Sequence, residues 1–153
     1  MRLMSSSSKE DFRSHCPVNY ALETFGDKWS LLIVRDIVFA GKRTYGEFLR
    51  SEEGFATNIL ASRLAWLEEQ GIVSKTPDSA DGRKDLYSLT EKGLDLIPVL
   101  LSIIMWSAKH DPMSYARRRK DLVARFKRSG PETVEELKEL VRKGGCVFPS
   151  KPA

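Results

Sequence analysis

Two cysteines stand far apart in the chain, and only one has neighbours that would tune its chemistry. Cys16 precedes Pro17, and proline suits the first position of a helix because its missing N–H would have no intrahelical partner there. A thiol at this N-cap would lie at the positive end of the helix dipole, which favours the reactive thiolate. The sequence therefore permits a redox-sensitive thiol at Cys16, or an inert thiol packed in an interface. No role is predicted for Cys146.

The other reactive side chains form no catalytic or metal-binding set. His15 and His110 are isolated, and the spacing of the cysteines is not that of a zinc site. The sequence contains neither a glycine-rich phosphate loop nor a nucleophile elbow. We therefore expect neither an enzyme nor a protein with a metal or cofactor.

A run of small and polar residues opens the helix predicted over residues 57–70. Leu60, Leu64 and Leu67 share its apolar face, and Gly71 follows its end. The opposite face carries small or hydrogen-bonding side chains, which fit the major groove of DNA. The predicted base-reading residues on this face are Thr57, Asn58, Ala61 and Ser62. A simply solvated helix face could have the same composition.

The neighbouring elements predict a winged helix-turn-helix, a mainly α fold of the α+β kind. Apolar spacing predicts helices over residues 17–25, 28–39 and 45–50, the last two capped by Asp27 and Thr44. Strands predicted over residues 72–75 and 86–89 flank a tight turn at Asp81-Gly82 and form the wing. The net charge of +4 is mild, so the charge alone permits but does not require a nucleic-acid partner.

Six basic residues near these elements are predicted to contact DNA phosphates, which anchor a protein without reading sequence. They are Lys28, Lys42, Arg43, Arg63, Arg83 and Lys84. Arg63 could equally form an internal ion pair, and Lys28 could simply be an exposed residue of a turn.

A helix predicted over residues 91–109 is apolar on nearly every side, with Thr90 as its cap and a bend at Pro98. Since a small winged helix can cover only one side, a second copy is predicted to cover the rest. The predicted dimer interface comprises Leu94, Ile97, Leu101, Ile104, Met105 and Trp106. Alternatively, two amphipathic helices over residues 113–143, separated by a break at Gly130-Pro131, fold back over this helix within one chain. Met105, Trp106 and Tyr115 could also bind a small-molecule effector, although such clusters are more often plain core.

Several collinear motifs resemble the HxlR-type winged helix-turn-helix transcriptional regulators. They are Cys16-Pro17 and the segments 26–35, 41–48, 60–71 and 87–93, which include Gly26-Asp27-Lys28-Trp29 and Tyr87-Ser88-Leu89-Thr90. The resemblance implies a homodimer that binds a pseudo-palindromic operator in double-stranded DNA. It also implies that the position of Cys16 serves some members as a sensor of oxidants or electrophiles. The wing carries Asp-Gly-Arg-Lys in place of the proline-rich stretch usual in the family. The alternative function is a winged helix that binds protein rather than DNA.

Four parts are predicted along the 153 residues. Residues 1–15 form a flexible N-terminal tail, 16–110 the winged-helix and dimerisation domain, 111–143 a helical extension and 144–153 a loose tail. No apolar stretch reaches the ~20 residues of a membrane span, and no segment resembles a signal peptide. With few cysteines, the expected location is the cytoplasm. A hydrophobic fraction of 41% excludes wholesale disorder.

Overall fold

The structure, a computed structural model, describes residues 12–149. The helices are α1 (Pro17–Phe25), α2 (Ser30–Arg35), α3 (Tyr45–Leu49), α4 (Thr57–Glu69), α5 (Glu91–Leu94), α6 (Ile97–His110) and α7 (Lys120–Arg142). Strands β1 (Val73–Pro77) and β2 (Asp85–Leu89) pair antiparallel, with Val73 opposite Leu89. The order α3, α4 and hairpin confirms the mainly α winged helix-turn-helix.

The helix predicted over residues 28–39 begins later and changes geometry before it ends. Asp27 still satisfies its first turn, because the carboxylate accepts hydrogen bonds from the N–H groups of Trp29 and Ser30 at 3.0 and 2.9 Å. α2 then passes into a π-helical turn, Asp36–Ala40. Gly41 ends this turn with φ of +68°, in the left-handed region that glycine adopts without strain.

The helix predicted over residues 91–109 is two helices. α5 ends at Leu94 and α6 begins at Ile97. Pro98 therefore lies in the first turn of α6, and the predicted bend within a helix does not occur there. Proline is tolerated there because that turn has no intrahelical use for its N–H. Gly93 lets α5 cross the chain before β1, since a Cβ at this residue would lie 2.2 Å from the carbonyl oxygen of Ile72.

The segment after α6 folds back over it within the same chain, which is the alternative that the sequence left open. A 3-10 turn, Tyr115–Arg118, replaces the start of the first predicted helix. α7 then kinks at Ser129, where φ is −143° and ψ 58°. The kink lies one residue before the predicted break at Gly130-Pro131. Pro131 falls in the first turn after the kink, where a helix does not use the backbone N–H that proline lacks.

Apolar and ionic contacts fix α7 on the rest of the chain. Leu122, Leu137 and Val141 are buried in the same core as α2, α4 and α6. Lys138 pairs with Asp95 at 2.8 Å, just after α5. The helical extension is therefore packed against the winged helix.

Residues 145–148 do not form the loose tail that the sequence predicted. The backbone N–H groups of Val147 and Phe148 donate to the carbonyls of Val38 and Phe39 at 3.0 and 2.8 Å. These bonds satisfy acceptors at the end of the π-helical turn, where no further turn of helix follows. Of the two predicted tails, residues 1–11 and 150–153 lie outside the described residues. Among residues 12–149, none of the helices combines the length and the hydropathy that a membrane span requires.

Candidate nucleic-acid interface

The predicted base-reading face of α4 is open to solvent. Thr57, Asn58, Ala61 and Ser62 are all exposed. The other face of α4 is buried through Leu60, Leu64 and Leu67, whose side chains join the core. A helix with one face fixed in a core and small polar side chains on the other can enter a groove without steric obstruction.

Two aromatic side chains hold α4 in place by their polar tips. The hydroxyl of Tyr45 in α3 donates to the carbonyl of Thr57 at 2.9 Å, at the first residue of α4. The indole N–H of Trp66 donates to the carbonyl of Thr24 in α1 at 2.8 Å. The sequence prediction missed both contacts, although partly buried Tyr and Trp residues usually find such a partner.

A capping box fixes the start of α3. The Thr44 hydroxyl accepts from the N–H of Glu47 at 3.2 Å, and the Glu47 carboxylate accepts from the N–H of Thr44 at 3.0 Å. Partial burial raises the pKa of Glu47, but hydrogen bonds from the N–H groups of Arg43 and Thr44 outweigh it and lower the pKa. The carboxylate is therefore ionised at neutral pH, which strengthens these bonds.

A buried carboxylate ties the π-helical turn to the segment between α3 and α4. Asp36 is 3% exposed and pairs with Arg35 at 2.7 Å and with Lys42 at 3.1 Å. Lys42 also donates to the Ser51 hydroxyl at 2.7 Å. The prediction that Lys42 contacts phosphate is therefore corrected, because its ammonium group neutralises a buried acid inside the protein.

Two further phosphate candidates are half-buried. Arg63 lies 3.7 Å from Asp27, which is the internal ion pair left open by the sequence. Arg43 is half-buried, and burial lowers the pKa of its guanidinium. Its Nη1 is buried with no hydrogen-bond partner in the described part of the chain. Both side chains are therefore less accessible to a phosphate than the exposed cations.

The remaining candidates, Lys28, Arg83 and Lys84, are exposed. Arg83 projects from the wing with 97% of its side chain accessible, and only a 3.7 Å approach to Asp81 restrains it. The wing itself is anchored, because the N–H of Tyr87 in β2 donates to the carbonyl of Arg43 at 2.7 Å, just before α3. The wing that carries Arg83 and Lys84 is therefore tied to the residue before the cap of α3.

Three of the six predicted interface residues lie in the core of their own chain. Leu94, Ile97 and Leu101 are at most 2% exposed, because α7 and the winged helix cover them. They cannot contact a second copy in this arrangement. Ile104 and Met105 are half-buried and Trp106 is 67% exposed. Val18 and Leu22 on α1 are also large, apolar and exposed, and the sequence prediction did not single them out.

Cys16 occupies the N-cap of α1 and is exposed in the single chain, which fits both a reactive thiol and an inert thiol packed against a second copy. The thiol does not cap the helix through a side-chain hydrogen bond. The backbone N–H of Asn19, and to a smaller extent that of Val18, nevertheless lowers the pKa of the thiol. The distant Cys146 is half-buried beside Gly41. Among the described residues, no three His, Cys, Asp or Glu side chains are grouped to hold a metal ion.

Residues 24–115 match the HxlR-like helix-turn-helix family, and this range includes α3, α4 and the wing. The chain belongs to this family. Its α3, α4 and wing form the helix-turn-helix part that the motifs in its sequence implied.

Several similar proteins are named HTH-type transcriptional regulators. The uncharacterized HTH-type transcriptional regulator Rv3095 of Mycobacterium tuberculosis is 37% identical over 95 residues, or 62% of this chain and 59% of its own length. The chain thus spans less than two thirds of the mycobacterial relatives that it matches. YdeP of Bacillus subtilis, another HTH-type regulator, is 30% identical over 76% of this chain and 92% of its own. The oxidised form of the redox regulator HypR superposes with a TM-score of 0.56 at 27% identity, over 64% of this chain and all of HypR.

Proposed function

We propose that this HxlR-like regulator binds double-stranded DNA sequence-specifically as a homodimer, with α4 in the major groove. The exposed small-residue face of α4 carries this proposal. Asn58 is the residue best suited to read a base, because its amide can donate to and accept from adenine at once. Thr57, Ala61 and Ser62 allow the helix to approach the base edges closely.

The charges on α4 support one orientation in the groove. Glu68 and Glu69 lie exposed at its C-terminal end, whereas no acidic residue lies in its first turn. Phosphates would repel the two carboxylates and are attracted by the N–H groups at a helix N-terminus. The Thr57 end therefore enters the groove, and the exposed Lys28, Arg83 and Lys84 contact phosphates on either side.

Apolar side chains left on the surface support the homodimer. Trp106 and Ile103 on α6, together with Val18 and Leu22 on α1, are large and exposed. A second copy would remove this apolar area from water, with Ile104 and Met105 at the edge of the contact. A two-fold dimer presents two α4 helices about 34–36 Å apart, which predicts a pseudo-palindromic operator.

Cys16 supports an additional role as a sensor of oxidants or electrophiles. Its thiol is exposed and has a lowered pKa, so the thiolate is populated more than in an ordinary cysteine. With hydrogen peroxide, the thiolate attacks one oxygen, the O–O bond breaks, and hydroxide leaves as Cys16 becomes a sulfenic acid. HypR, which superposes on this chain, is a redox regulator, and this agrees with such a role.

Binding to DNA is tested by fluorescence anisotropy of a labelled random-sequence duplex at increasing salt. We expect affinity to fall steeply with salt, because phosphate contacts release counterions. Arg83→Ala should reduce the slope of log K against log salt by about 1, whereas Arg128→Ala, outside the wing, serves as a charge-matched control. Retention of a protein partner with no salt-sensitive affinity for any duplex would favour the protein-binding alternative.

The thiol role is tested by repeating the measurement after treatment with hydrogen peroxide. Hydrogen peroxide should change the affinity for the duplex equally in the native chain and in Cys146→Ser. The affinity of Cys16→Ser should stay the same after this treatment. An unchanged affinity after Cys16 has been fully modified, as judged by mass spectrometry, would dismiss the sensor.

A further inference from the structure

A cavity of about 570 Å³ lies between α2, α6 and the segment that follows α6. Its walls are mainly aliphatic, with Leu32 from α2, Leu100 and Ile104 from α6 and Leu122 from α7. Small-molecule sites have this size and character, with a few polar groups that orient the ligand. Because α7 lies beyond the residues that match the family, the family match does not account for this cavity.

Among the described residues, the charged side chains that line the cavity are all arginines: Arg35, Arg118 and Arg119. Arg35 is already paired with carboxylates. Arg118 and Arg119 form no ion pair within the described part of the chain. Instead, their guanidinium carbons lie 5.5 and 4.0 Å from the ring centroids of Tyr115 and Phe148, respectively. An aromatic ring orients a guanidinium without neutralising it. Two exposed positive groups without a carboxylate partner therefore lie beside an apolar space.

We propose that this cavity binds a small apolar carboxylate, such as an aromatic acid of one or two rings, as an effector of DNA binding. The ring system fills the aliphatic space, and the carboxylate accepts paired hydrogen bonds from Arg118 and Arg119. Over residues 12–149, no acidic side chain lines the cavity, so its walls do not repel the anion. Only the regulatory part of this inference rests on the proposed DNA-binding function.

Two hydrogen bonds connect the cavity with the segment between α3 and α4. Tyr115, which lines the cavity, donates from its hydroxyl to Glu52 Oε1 at 2.9 Å. Arg35 donates from Nη2 to Glu53 Oε2, also at 2.9 Å. A ligand that draws Tyr115 or Arg35 toward its carboxylate weakens these bonds and changes how firmly α4 is held. The ligand therefore binds the DNA-bound and free conformations with different affinity, which is the requirement for allosteric control.

Calorimetric titration of the full chain with 2-naphthoate tests the site. We expect saturable binding, about tenfold weaker binding of the neutral 2-naphthylmethanol, and no detectable binding of inorganic phosphate at the same concentration. The double variant R118Q/R119Q should lose about tenfold in affinity for 2-naphthoate. Arg128→Gln should lose none, because Arg128 lies outside the lining. Ile104→Trp should block the cavity, with circular dichroism to verify the fold.

Three outcomes would overturn the proposal. The first is equal affinity for the alcohol and the carboxylate, and the second is unchanged affinity in the double variant. The third is a lack of 2-naphthoate binding to the native chain, which would leave this apolar space to the proposed contact with a second copy.

The regulatory part is tested with a duplex that the native chain binds. Saturating 2-naphthoate should change the dissociation constant for the duplex severalfold. Glu52→Ala, which removes the acceptor of the Tyr115 hydroxyl and lies outside the lining, should remove that change while still binding 2-naphthoate. A change that persists in Glu52→Ala would overturn the route through Glu52. Binding of 2-naphthoate by a chain that binds no duplex would refute the proposed function and leave the site intact, whereas the reverse result would refute the site alone.

Discussion

The indole N–H of Trp66 donates to the carbonyl of Thr24 at 2.8 Å and thereby joins the proposed DNA-reading helix to α1. Thr24 lies at the C-terminal end of α1, and Cys16 caps the other end of the same helix. A displacement of α1 on modification of Cys16 would therefore reach α4 through a direct contact. This bond is the physical connection between the proposed sensor and the proposed reading surface.

Trp66→Phe keeps an aromatic ring in place and removes this bond. We expect the free energy of unfolding to fall by about 1 kcal/mol, the usual net contribution of one hydrogen bond. Urea denaturation measures the change, and Tyr20→Phe, which removes an exposed hydroxyl from α1, is the control. A Trp66→Phe chain as stable as the native one would mean that the contact does not anchor α4.

Two threonines near α3 and α4 should affect different properties when replaced by alanine, the first stability and the second DNA binding. Thr44→Ala removes the N-cap of α3 and should lower the free energy of unfolding by about 1 kcal/mol. Thr57→Ala removes an exposed hydroxyl from the reading face, so it should weaken binding to the preferred duplex and leave stability nearly unchanged. Thermal unfolding and anisotropy on the same samples separate the effects, and a reversed pattern would contradict the roles assigned to both residues.

Lys42 and Lys84 are both predicted phosphate contacts from the sequence, but their replacement should affect different properties. Lys42→Met leaves buried Asp36 without one of its two cations, and we expect a loss of roughly 1–3 kcal/mol in unfolding free energy. Lys84→Met removes an exposed charge from the wing, and it should lower affinity for every duplex with little effect on stability. If Lys42→Met were as stable as the native chain, Lys42 would be free to act as a phosphate contact after all.

The lowered pKa of Glu47 predicts a dependence of stability on pH. A glutamate with a folded-state pKa below its unfolded value of about 4.3 stabilises the fold above that value and loses this contribution as pH falls through the folded pKa. The free energy of unfolding should therefore decrease below about pH 5. Urea titrations at several pH values should give a smaller decrease for Glu47→Gln, which cannot titrate. Identical profiles would contradict the capping role of the carboxylate.

The local pattern was sufficient to predict most of the winged helix. Thr44 forms the predicted cap of α3, and Leu60, Leu64 and Leu67 give α4 its buried face. Periodicity and capping are local properties, so they can be inferred from neighbouring residues. For the same reason the exposed face of α4 was predicted residue by residue.

The errors concern contacts between distant parts of the chain. The fold-back of α7 was one of two alternatives, and it explains why Leu94, Ile97 and Leu101 are core rather than interface. Likewise, Lys42 was predicted to be a surface cation, because nothing in its local sequence reveals that its ammonium group meets the buried Asp36. Ion pairing and burial of this kind depend on tertiary packing, which a local pattern does not encode.

Selection of bound duplexes from a random pool, carried out in parallel with the native chain and Asn58→Ala, tests the central claim most directly. The account predicts that the native chain returns a two-fold symmetric consensus with half-sites about one helical turn apart. It also predicts that Asn58→Ala loses the preference at one position in each half-site and keeps the rest. An identical consensus from both proteins, or no consensus from the native chain, would contradict the claim that this face of α4 reads DNA.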